Sequence, residues 1–172
     1  MLQHKNGARN TLNVSHKDNA LVILSELSMQ QKREKYPDVP VEWLPKAIYK
    51  DSKANGLTKC IIDFLTFSGW QAERINNTGR LFDRRQSYID IIGRSKTIGG
   101  IEWVKGTGTD GTADISATIA GKSVKIEVKI GPDKQSEVQN KYQESIQRAG
   151  GIYVIAKTFQ GFYNWYIKTF AL

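Results

Sequence analysis

The stretch that decides the reading runs Gly111-Thr112-Ala113-Asp114-Ile115-Ser116-Ala117-Thr118-Ile119-Ala120-Gly121-Lys122-Ser123-Val124-Lys125-Ile126-Glu127-Val128-Lys129. Residues 114–119 and 123–130 are two β-like runs joined at Ala120 and Gly121, which predicts a hairpin with a two-residue turn. Turn length sets register, so Ile119 should face Lys122, and counting outward brings Asp114 opposite Glu127. Side chains alternate between faces. Ile115, Ala117, Ile119, Val124, Ile126 and Val128 therefore share an apolar face, and Asp114, Ser116, Thr118, Ser123, Lys125, Glu127 and Lys129 share the other.

Directly opposed side chains have Cβ atoms about 4.5–5.5 Å apart, and two carboxylates so placed repel unless a cation lies between them. A divalent metal meets that need, and Lys129, two positions beyond Glu127, projects to the same side. Two carboxylates, Mg²⁺ and an ammonium suit phosphodiester hydrolysis, because Mg²⁺ prefers oxygen ligands and keeps water in its shell. Beside carboxylates the lysine stays protonated, which favours an electrostatic role over that of general base. The competing reading is that these groups decorate the solvated face of an ordinary hairpin, and spacing alone does not separate the two.

Working outward, Ser136 and Gln139 have the spacing of a capping box, opening a helix with Val138, Tyr142, Ile146 and Ala149 on one side and Gly150 at its end. A buried strand is expected over residues 152–156, then a closing helix carrying Phe159, Phe162, Tyr163, Tyr166 and Phe170. Towards the N-terminus, residues 57–67 read as an apolar helix closed by Gly69, and residues 70–76 as a strand. Asp18 or Asn19 caps a further helix running towards Lys35, stopped by Pro37 and Pro40. Residues 1–17 read as a polar leader. Residues 77–112 are rich in Gly, Thr and Arg, with one further strand expected over 101–104. The organisation is thus an N-terminal extension with one helix (1–50) followed by a single domain (51–172).

Composition narrows the classes. The longest aliphatic run, Ala20 to Leu24, is far short of the roughly 20 apolar residues of a membrane-spanning helix. The N-terminus lacks the apolar block of a signal peptide, so an intracellular, cytoplasmic location is expected. One cysteine, Cys60, and two histidines, His4 and His16, leave disulfide, cysteine-rich zinc and histidine chemistry without a residue set. Twenty-five Lys and Arg against seventeen Asp and Glu give a net charge of +8, which suits an anionic polymer. Arg74, Arg80, Arg84, Arg85, Arg94 and Lys96 precede the hairpin, and with Lys125 on its polar face they are candidates for phosphate contacts, a solvated surface being the default for any one of them.

Taken together, Gly111-Thr112-Ala113-Asp114, then Glu127-Val128-Lys129, then Ser136, Gln139 and Tyr142, and the run Ala149-Gly150-Gly151-Ile152-Tyr153 resemble the PD-(D/E)XK nuclease superfamily, in particular its VRR-NUC branch. That branch is similar to Holliday-junction resolvases and common in phages. The resemblance covers roughly residues 55–160. It implies an α/β fold with a restriction-endonuclease-like core, a mixed central β-sheet flanked by helices. It also implies a Mg²⁺- or Mn²⁺-dependent endonuclease acting on DNA, with branched or junction DNA as a candidate substrate and RNA left open, in a bacterial or phage-infected cytoplasm. Asp114 and Glu127 would bind the metal with the Val128 carbonyl, Lys129 would be the motif lysine, and Gln139 would match the motif glutamine that positions substrate or lysine. Resolvase-like members often pair, so a homodimer is implied, with the helix before residue 36 as a candidate interface.

The sequence departs from the pattern twice. Ala113 stands where the family name has proline, at a position that shapes backbone and carries no ligand. The first helix, where many members supply a glutamate, offers Asn55 at the corresponding place, with Asp63 and Glu73 as substitutes from elsewhere. The missing acid motivates a second reading, a catalytically inactive module of the same fold that binds nucleic acid or a protein partner.

Overall fold

Ala120 and Gly121 both take positive φ, 49° and 77°, the turn geometry whose twist matches the strands it joins. The strands it connects, β6 (Ile115–Ile119) and β7 (Lys122–Val128), pair antiparallel with Ile119 opposite Lys122 and Ile115 opposite Ile126. This is the register expected from the turn. The alternation follows: Ile115, Ile119, Val124 and Ile126 have no exposure, whereas Thr118 and Ser123 on the other face are exposed.

The structure is a computed structural model that describes residues 19–76, 79–104, 106 and 108–170; the leader with His4 and His16 lies outside them. The remaining elements are α1 (Ala20–Lys35), a short 3-10 turn (Val41–Trp43), α2 (Ala54–Phe67), β1 (Gln71–Arg74), β2 (Arg80–Asp83), β3 (Gln86–Ile89), β4 (Ser95–Ile98), β5 (Ile101–Val104), α3 (Glu137–Arg148), β8 (Ile152–Ala156) and α4 (Phe159–Phe170). The central sheet is four-stranded in the order β1-β6-β7-β8. β1 runs antiparallel to β6, and β8 runs parallel to β7, reached by the crossover through α3. The chain is therefore mixed α/β, with a mixed central sheet flanked by helices.

The apolar face of the sheet is covered by α2 and α4, and α1 packs on both of those helices. Phe64 on α2 meets Phe159, Phe162, Tyr163 and Tyr166 of α4 edge-on, with ring centroids 5.0–6.4 Å apart. The aromatic stripe is core, the reading that its helical spacing favours. Ala20 and Leu24 of α1 are fully buried in the same cluster as Leu57, Ile61 and Leu65 of α2. Two local bonds tie the layers: the Ala20 N–H donates to Gln160 Oε1 at 2.9 Å, and the Phe159 N–H donates to Asp51 Oδ2 at 2.8 Å, satisfying two helix-end donors. Cys60 is buried in this layer, and burial, with the negative charges of Asp51 and Asp63, pushes its thiol up to about 11. It is structural.

Helix α2 begins three residues before Leu57, where the sequence pattern starts. Gly56 lies against the chain it follows: a Cβ there would stand 2.2 Å from the Lys50 carbonyl oxygen. Close packing, not propensity, selects this glycine inside a helix. The larger departure lies between β1 and β6, where four short strands form two separate antiparallel ribbons, β2 with β5 and β3 with β4. Only β5 has a counterpart in the sequence reading. Among the described residues, no helix is long and apolar enough to cross a membrane.

Candidate active site

Glu127 belongs to the polar face of β7 and yet is only 2 % exposed, because α3 lies over it. Its side chain is held at both oxygens. Oε1 accepts from Gln139 Nε2 at 2.6 Å and stands 3.1 Å from Lys129 Nζ; Oε2 accepts from the Tyr153 hydroxyl at 3.4 Å. Gln139 works in both directions, since its Oε1 accepts from Lys129 Nζ at 3.1 Å and from the Ser136 N–H at 3.0 Å. The capping box is present in full, with Ser136 Oγ accepting from the Gln139 N–H. One glutamine therefore starts α3 and bridges the buried acid to the buried lysine.

Asp114 sits one residue before β6, on the strand neighbouring Glu127. Its Oδ2 accepts a 2.9 Å bond from the Val128 N–H, and its backbone carbonyl accepts from the Ile75 N–H at 2.8 Å. Burial pushes the Glu127 carboxyl above its ordinary range and the negative charge of Asp114 pushes it further, against the opposing pull of Lys129 and Tyr153. Burial alone would lower Lys129, but its bonds to Glu127 and the charges of Glu127 and Asp133 outweigh that and raise it overall. Lys129 is thus a buried, protonated ammonium, 3.4 Å from Asp133 as well. Burial is also the main cause that raises Tyr153, with the charge of Glu127 adding to it, so its hydroxyl remains a donor.

The structure brings together Asp114, Glu127, Val128, Lys129 and Gln139. Among the described residues, no group of three or more His, Cys, Asp or Glu side chains is gathered to hold a metal ion, so the donor set is two carboxylates and a backbone carbonyl. That set fits a hard cation that keeps much of its water. It also fits the electrostatics, because a buried acid held up by a second acid is relieved by positive charge.

The substitutes for the first-helix acid go elsewhere. Asp63 accepts from the Tyr49 hydroxyl at 2.9 Å and pairs with Lys59 at 2.6 Å in the helical layer. Asn55 accepts from Arg74 Nη2 at 2.9 Å. Glu73 is exposed and pairs across the ladder with Ser116, which in turn faces Lys125; Lys125 Nζ lies 2.5 Å from Ser116 Oγ. Glu73, Lys125 and Glu127 therefore lie on one face of the sheet, the closest approach to a third carboxylate. Arg80, Arg84 and Arg85 lie on the ribbons instead, where Arg80 stacks over Phe82, Arg84 pairs with Glu102 at 2.9 Å and Arg85 pairs with Asp83 at 2.6 Å.

Two participants have roles that the sequence reading does not assign. Tyr153 pairs in register with Lys125 on β8, so strand alternation alone would aim it at the polar face once the β7–β8 pairing is known. Asp133 lies in the connection after β7, and nothing in its spacing signals the contact with Lys129. Compared with protein-family models, curated proteins and solved structures, the chain finds no match.

Proposed function

We propose that the protein is a Mg²⁺- or Mn²⁺-dependent nuclease that hydrolyses phosphodiester bonds in DNA. The observation that carries the reading is the buried pairing of Glu127 with Lys129 beside Asp114 on one polar face, bridged by Gln139. A buried ion pair is costly unless its lone pairs and protons are satisfied, and a solvated hairpin face has no need of one. Asp114, Glu127 and the Val128 carbonyl would hold the cation, which when bound supplies Lewis acidity toward a phosphoryl oxygen and lowers the pKa of water. Lys129 stabilises negative charge growing on the phosphate oxygens, a role for which its raised pKa suits it. Gln139 and Tyr153 position the Glu127 carboxylate. Lys125 and Arg74, near the same end of the sheet, are placed to meet the flanking phosphates.

Incubation of purified protein with labelled duplex, branched and single-stranded DNA, with and without Mg²⁺, tests this reading. Metal-dependent cleavage that Asp114→Ala removes is expected; equal cleavage by both proteins defeats it. The absence of a first-helix carboxylate, with Asn55 engaged by Arg74 and Asp63 by Tyr49 and Lys59, favours a second reading, a nucleic-acid-binding module without catalysis. That module would bind DNA in a salt-sensitive manner and cut none.

A further inference from the structure

The segment between β1 and β6 springs from the rim of the candidate site, where the Ile75 N–H bonds the Asp114 carbonyl. Its two ribbons pack on themselves, and among the described residues no helix or strand of the four-stranded sheet packs extensively on either. A lone two-stranded ribbon is marginal in water and needs something to cover it. On β2 and β5 the pairing of Leu81 with Trp103 and of Asp83 with Ile101 puts Leu81, Ile101 and Trp103 on one face. They are 64 %, 55 % and 59 % exposed, and the ribbon's tip adds Ile89, Ile91 and Ile92 at 74 %, 104 % and 63 %. The opposite face is different, with Phe82 partly buried beneath Arg80. The indole of Trp103 lies flat across the Gly79 backbone, its ring atoms 2.8 Å from where a Cβ would stand, so the anchor is held rigid. Rigid aromatic and aliphatic side chains in one patch mark a protein interface.

We propose that this arm face is a self-association surface and that its occupant is the same face of a second copy of the chain. Charge selects the partner. Two chains of net charge +8 repel except where charge is locally balanced, and the arm is balanced by its own acids: Arg85 with Asp83, Arg84 with Glu102 and Lys96 with Asp90 at 3.5 Å. Phosphate recognition wants cations not already matched, and three of the five arginines and lysines among residues 79–104 are matched. A face that is apolar and internally neutralised suits an identical face across a two-fold axis, which closes and leaves no open edge. Ribbon edges without neighbours can be paired in the same step. The inference does not depend on the nuclease reading.

Sedimentation of the full chain without DNA or metal tests it. The wild type should sediment at twice the 19.4 kDa chain mass at micromolar concentration, and Leu81→Glu/Trp103→Glu should sediment as monomer at concentrations at least about tenfold higher. Unchanged helical circular dichroism separates this from unfolding of the body. As a second measurement, Ile101→Cys should give an oxidised, disulfide-linked dimer, and Val22→Cys, on the exposed side of α1, should not. A monomeric wild type overturns the proposal, as does a dimer that survives the arm substitutions or one broken by Val22→Glu. Loss of DNA binding with no change of mass would assign the face to nucleic acid and overturn it equally.

Discussion

Oδ2 of Asp114 accepts the Val128 N–H at 2.9 Å, so the acid before one strand is fastened to the backbone of the next. This bond fixes the carboxylate beside Glu127 and separates two properties of the residue, its acceptor oxygen and its charge. Asparagine keeps the first and removes the second. Asp114→Asn should therefore remain folded, with stability within about 0.5 kcal/mol of wild type, while metal-dependent cleavage falls by about a hundredfold or more. Asp114→Ala should lose the same activity and also roughly 1–3 kcal/mol of stability, because it leaves the Val128 donor without its acceptor. Denaturant titration beside a cleavage assay checks both; an asparagine variant as active as wild type would remove Asp114 from the site.

Glu127 makes stability depend on pH with a definite sign. Its carboxyl is raised by burial and by Asp114, so the native state holds more protons than the unfolded chain. Stability must then fall as pH rises from the ordinary value of 4.5 through the native one. A divalent cation at the two carboxylates reverses the effect, since it binds the ionised form. The melting midpoint of the wild type should decline across that window without metal, and Mg²⁺ should raise it more above the window than below. Glu127→Gln should flatten the pH slope and abolish the Mg²⁺ response. A glutamine variant with the wild-type slope would show that another group titrates.

Gln139 serves helix and site at once, and the two uses can be dissected. Gln139→Ala removes half of the capping box and the bridge between Glu127 and Lys129, with an expected loss of roughly 1–2 kcal/mol. Ser136→Ala costs about 1 kcal/mol through the cap alone and leaves the bridge in place. Activity at a temperature where both variants are folded should therefore fall for Gln139→Ala and stay near wild type for Ser136→Ala. Equal activities would reduce Gln139 to a helix cap.

The hairpin was legible because its turn leaves few choices: Ala120 and Gly121 set the register, and alternation then sorts core from site. The capping box announced α3 by spacing alone, and α2 and α4 showed their apolar stripes. The arm was not legible. Its four strands are four residues long, and β3 and β4 are exposed at every position, so no buried face imposes the alternation that betrays a strand. Burial of Glu127 and Lys129 was hidden for a different reason, since it comes from α3 folding back over β7, a tertiary event with no local signature. The arginines before the hairpin looked like one basic cluster because sequence proximity conceals their acids, Glu102 in particular lying eighteen residues from Arg84.

Gly111 shows how the site depends on backbone outside it. Its φ is +77°, and a Cβ would stand 2.6 Å from the Val138 carbonyl oxygen and 2.9 Å from the Gln139 nitrogen, in the first turn of α3. Gly131 also has positive φ, +58°, but a Cβ there would meet nothing within 4 Å. Gly131→Ala should therefore show backbone strain alone, about 1–2 kcal/mol. Gly111→Ala adds a clash with main chain that only a displacement of α3 relieves, and α3 carries Gln139. Its stability loss should exceed that of Gly131→Ala by about 1 kcal/mol or more, and cleavage should fall even under conditions where the protein is fully folded. Calorimetry paired with the cleavage assay separates the two variants. If they match in both readouts, the contact between Gly111 and α3 does not hold the glutamine in place.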